Sequence, residues 1–136
     1  MNLDEILKNL PALFAALFTA ILFLQSGLDK VFDWKGNIEW LTGHFSKTFL
    51  GPFTTIMVLK ITVLELLTGL TAAAGLVYFF IAGSTIVILY AAILGAATIT
   101  GLFFGQRIAK DYAGAAVLAP YFLLMLTMMF FARPAS

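Results

Sequence analysis

From Leu10 to Leu28 the chain carries no charged residue, and three more apolar runs of comparable length follow within its 136 residues. A membrane-crossing helix needs about 20 apolar residues, so four such runs with short connections nearly exhaust the chain. Charged residues make up 11% of the total and the mean hydropathy is +1.01, whereas an ordinary soluble domain is about 25% charged. In lipid every backbone N–H and C=O must find its partner inside the protein, which a helix achieves within one segment. The sequence therefore predicts an all-α protein with a single integral membrane domain over 1–136. The expected form is a transmembrane four-helix bundle with spans at about 10–29, 53–74, 78–104 and 112–132 and a short amphipathic interfacial helix between spans one and two.

Several function classes are excluded by composition. The net charge of +1 leaves no basic patch for nucleic acid, and the absence of cysteine removes disulfides, thiol redox chemistry and thiolate metal sites. With His44 as the one histidine, a bis-histidine haem cannot be built within the chain. Lys8 precedes the first apolar run as in a signal peptide, but the run is longer than the usual 7–15-residue core of such a signal. The segment is expected to stay as a helix.

The second run, from Ile56 to Gly75, is apolar yet contains Lys60 and Glu65. A charge near the middle of a membrane helix costs roughly 2.5–3.5 kcal/mol on insertion scales, so it normally faces a partner or a watery cavity. Lys60 and Glu65 stand about 140° apart around a helix and cannot pair with each other. Lys60 is expected to extend toward the headgroups, and Glu65 to look to Lys30 or Arg107. Asp29 and Lys30 close span one, while Gln106, Arg107, Lys110 and Asp111 join spans three and four. All lie at one end of a four-span bundle. Asp29, Lys30, Glu65, Arg107 and Asp111 are therefore expected to form one polar cluster, structural or ligand-binding, with Glu65 deepest.

Between spans one and two, Ile38, Leu41, Phe45 and Phe49 recur at helical spacing, opposite Glu39, Thr42, Gly43, Ser46 and Lys47. With Trp34 and Trp40 this pattern fits a helix in the headgroup layer. His44 beside that face reads as a solvated interface residue, and Asp111 as the cap of span four. Gly75 reads as the end of span two. Gly69 with Ala73, Ala91 with Gly95 and Ala115 with Ala119 are four residues apart, a spacing that lets helices approach closely within one bundle. Gly101 with Gly105 repeats that spacing at a span end. Lysine and arginine number five at the end with the longer connections (Lys30, Lys35, Lys47, Arg107, Lys110) and two at the terminal end (Lys8, Arg133). That asymmetry places the loops after spans one and three in the cytoplasm.

Ser26-Gly27-Leu28-Asp29-Lys30, the stretch Val63-Leu64-Glu65-Leu66-Leu67-Thr68-Gly69-Leu70, Gly75-Leu76, and Gly105-Gln106-Arg107 through Lys110-Asp111-Tyr112 together resemble the DoxX-like membrane proteins. The resemblance covers nearly the whole chain and rests on the order and spacing of these short motifs. It implies a four-helix integral membrane protein of the bacterial cytoplasmic membrane. Some relatives are named as the small membrane subunit of a thiosulfate:quinone oxidoreductase. The expected function is an accessory or structural subunit of a larger membrane complex without catalytic activity of its own, surrounded by lipid and in contact with other membrane subunits or further copies of itself. A quinone- or lipid-binding component of a membrane oxidoreductase is the alternative, with Glu65 exchanging a proton with the quinone, and a small-molecule transporter ranks third. No catalytic residue, metal site or cofactor is evident, and a quinone is the one cofactor candidate.

Overall fold

The computed structural model describes residues 1–134, and they are all-α. A short helix α1 (Leu3–Lys8) leads into α2 (Leu10–Phe32), followed by α3 (Trp34–Phe45), a 3-10 turn (Gly51–Phe53), α4 (Thr54–Ala82), α5 (Ile86–Ile108) and α6 (Tyr112–Ala132). Four of these, α2, α4, α5 and α6, are long and apolar enough to cross a membrane. They pack in the order α2 on α4, α4 on α5 and α5 on α6, with α6 closing more lightly against α2. The core includes Phe23, Ala72, Phe79, Ile88, Met125 and Met128, and large apolar side chains such as Leu17, Leu70, Ile93 and Leu123 face outward on all four helices. A soluble protein could not tolerate so much exposed apolar surface. The molecule is an integral membrane protein.

Local chemistry explains the ends of these helices. Asn2 caps α1 by accepting from the Glu5 N–H at 2.9 Å, and Pro11 occupies the first turn of α2, where its missing N–H costs nothing. The Asp111 Oδ1 accepts from the Gly114 N–H at 2.9 Å, the expected cap of α6. The link from α5 to α6 is a Schellman turn. The Asp111 N–H donates to the Gln106 carbonyl, the Lys110 N–H donates to the Arg107 carbonyl, and Lys110 takes a left-handed φ of 60°. Threonines inside the spans (Thr62, Thr68, Thr71, Thr98, Thr100 and Thr127) each donate their hydroxyl to the carbonyl four residues earlier.

Several expected boundaries move. Span two does not end at Ala74–Gly75: α4 runs on to Ala82, and Gly83, at φ 72°, makes the stop, so that span three starts at Ile86 rather than near Tyr78 and ends at Ile108 rather than at Phe104. Gly75 is instead where α4 and α5 cross, since a Cβ there would lie 2.9 Å from the backbone N of Ile88. Span one likewise continues three residues beyond 29, to Phe32. The amphipathic helix is present as α3, with Phe45 buried beneath it, but it ends there. Phe49 lies beyond it and is 66% exposed.

Most of the small residues act inside the bundle, but Ala119 does not, being exposed on the outer face of α6. A Cβ at Gly69 would fall 2.9 Å from the backbone N of Leu24, one at Gly27 would meet the Leu66 side chain at 2.6 Å, and one at Gly95 would strike Met125. Ala91 and Ala115 are buried. In lipid, where apolar surface gains little from being covered by another helix, such close backbone approach carries the packing.

Candidate functional site

Glu65 is 1% exposed and takes a single partner, Lys30 of α2. The Lys30 Nζ donates to Oε1 and Oε2 of Glu65, at 3.1 Å each, and to the Ser26 Oγ at 3.0 Å. An ammonium has three N–H donors, so all three are used. The pair lies on the same α2–α4 seam as the contacts of Leu24 with Gly69 and Gly27 with Leu66, about one turn further along. Of the two cations the sequence offered Glu65, the fold selects Lys30 of α2, because Arg107 of α5 faces outward over the Tyr112 ring.

The expected five-residue cluster is not formed. Asp29, although next to Lys30 in sequence, points away and is exposed, because consecutive helical residues differ by about 100°. Arg107 is also exposed, its guanidinium 4.6 Å above the Tyr112 ring. Asp111 caps α6 and faces His44 rather than Glu65. Lys60 is exposed and takes no part in the ion pairs of the described residues, consistent with a side chain directed to the headgroups.

A second polar group forms around His44. With the proton on Nε2, His44 donates to the Gln106 Oε1 at 2.9 Å, and the same nitrogen lies 3.7 Å from the Asp111 Oδ2. Its ring stacks on Trp40 at 4.8 Å and meets the edge of Phe45 at 5.0 Å. The Schellman turn brings Gln106 and Asp111 to one side, where α3 docks. His44 thus fastens α3 across the end of the bundle instead of standing solvated at the interface. The one signal for this in the sequence was the four-residue spacing of Trp40 and His44, which puts both rings on one face of a helix.

Beneath α3 lies a cavity of about 300 Å³ that draws its walls from all five longer helices, including Lys30, Trp40, Phe45, Ile61, Gly105, Gln106 and Leu118. Among the described residues no three His, Asp or Glu side chains converge to hold a metal ion, and every buried polar side-chain atom has a partner. No family model, curated protein or solved structure matches the chain.

Proposed function

We propose that the chain is a DoxX-like accessory subunit of a larger membrane complex in the bacterial cytoplasmic membrane, contributing structure rather than catalysis. The observation that supports this reading is the saturation of Lys30 by Glu65 and Ser26. The charges that a membrane enzyme would hold ready for proton transfer are engaged here in joining α2 to α4. His44, Gln106 and Asp111 serve in the same way to hold α3 against the α5–α6 turn. Extraction of the full chain into native nanodiscs, followed by mass spectrometry of the intact particle, tests the reading. A stoichiometric partner subunit is the expected result, and a monomer that recovers no other protein overturns it.

The excess of lysine and arginine at the α3 end supports a cytoplasmic position for α3. The chain contains no cysteine, so one introduced by Lys35→Cys reports on that end alone. The residue should resist a membrane-impermeant maleimide in intact cells and react after permeabilisation. Labelling of intact cells would reverse the orientation.

A further inference from the structure

We infer that the cavity beneath α3 is a binding site for a neutral amphiphile whose head carries an acceptor oxygen and whose apolar tail lies in the groove between α5 and α6. The glycines carry the first part of the argument. Gly27, Gly69, Gly75 and Gly95 stand where an added Cβ would collide with the neighbouring helix. Gly101 and Gly105 do not, since the nearest atoms to a Cβ there are 3.6 Å away, on Ile61 and Phe45 respectively. These two glycines leave space instead of bringing helices together, and the space they leave is the cavity. A volume of about 300 Å³ is at the small end of the range for ligand pockets, enough for a compact head but not for a long chain as well.

The tail has its own place. A second concavity of about 440 Å³ runs along the outer face of α5 and α6, with walls that include Ile99, Phe103, Phe122 and Leu123. Leu118 lines both concavities, so the groove and the cavity are neighbours across that one side chain. The groove is almost purely apolar, because its one hydroxyl, that of Thr100, donates to the Ala96 carbonyl.

Charge selects the head. Lys30 lines the cavity, but Glu65 sits 3.1 Å from its ammonium. An anionic head at Lys30 would be repelled by Glu65, and a cationic one by Lys30 itself. A neutral carbonyl or ester oxygen suffers neither penalty and can take the N–H now given to the Ser26 hydroxyl, the one neutral partner of the ammonium, without disturbing the ion pair. Both a quinone ring and the glycerol ester of a bilayer lipid present that chemistry with an apolar chain attached. The inference goes beyond the subunit reading, and either can fail without the other.

Trp40 in the cavity wall supplies the reporter. The chain has two tryptophans, so Trp34→Phe leaves Trp40 alone. The full-length variant in nanodiscs is titrated separately with decylubiquinone and with a brominated monoacylglycerol, each of which quenches indole fluorescence. Saturable quenching by at least one probe is expected. Gly105→Leu should weaken it by about tenfold or more, while Gly105→Ala keeps the melting temperature and most of the binding. Saturation by the quinone alone assigns the head to a quinone, by the ester alone to a bilayer lipid, and by both to their common carbonyl. Quenching that rises linearly with either probe, as from partition into the bilayer, overturns the inference. So does an unchanged titration in Gly105→Leu. If that variant does not assemble, Leu118→Trp in a background with both native tryptophans replaced by Phe fills the junction from α6. Loss of binding in that variant, read by equilibrium dialysis of the probes, supports the site, and retention overturns it.

Discussion

Lys30→Met is expected to destabilise the bundle by about 3–5 kcal/mol, the usual cost of leaving one member of a buried ion pair without its partner. Glu65 is 1% exposed and takes all its side-chain hydrogen bonds from Lys30, so it has no route to water or headgroups once the ammonium is gone. The reverse change is milder. The Lys30 side chain is 17% exposed and sits in the last turn of α2, where a freed ammonium can extend outward on its four-carbon stem and keep Ser26. Glu65→Gln should therefore cost clearly less than Lys30→Met. The double change Lys30→Met with Glu65→Met should recover much of the loss, because a well-packed apolar pair often replaces a buried ion pair without penalty. Reversible unfolding of the four proteins in mixed detergent micelles measures all of this. If Lys30→Met lowers stability by less than the Glu65→Gln variant does, the pair is not the structural element described.

A comparable loss is expected from Gly69→Val. The added Cβ would stand 2.9 Å from the backbone N of Leu24, and backbone cannot move aside as a side-chain tip can. Overpacking of this kind costs about 1–3 kcal/mol and sometimes more. The cost should lie at the upper end here, because the seam that opens also holds Lys30 against Glu65. Gly27→Ala on the same seam supplies the contrast. Its obstruction is chiefly the end of the Leu66 side chain, at 2.6 and 2.8 Å, with the nearest backbone atom at 3.4 Å. A rotamer change in Leu66 can relieve it, so a loss below about 1 kcal/mol is expected. Equal losses at the two positions would show that backbone approach does not govern this seam.

The difference between these glycines marks the limit of what the sequence made legible. Apolar run length was sufficient to find all four spans, and Asp111 followed by Tyr112 was sufficient to find the start of α6. Gly75 and Gly83 are the opposite case. A glycine that lets another helix approach and a glycine that ends a helix by turning left-handed look alike in an apolar sequence. The five residues before Gly83, Tyr78 to Ala82, are as lipid-compatible as those before Gly75, so hydropathy could not separate them. The polar site was half legible for a related reason. Position along a helix gives depth, and depth correctly brought Lys30 and Glu65 to one end of the bundle. It does not give direction around the axis, and direction is what separates Lys30 from Asp29 and Gln106 from Arg107. His44 was misread because its partners, Gln106 and Asp111, are more than sixty residues away and become neighbours only through the turn at Lys110.

The threonines of the spans have a bearing on how this molecule looks from the bilayer. With their hydroxyls turned back onto their own helices, what Thr100 and Thr127 present on the exposed surface is chiefly the γ-methyl group. To a surrounding acyl chain these positions resemble valine. The lipid therefore meets a surface more uniformly greasy than the residue names suggest, and the places where it can detect polarity retreat to the two rims and to the end covered by α3.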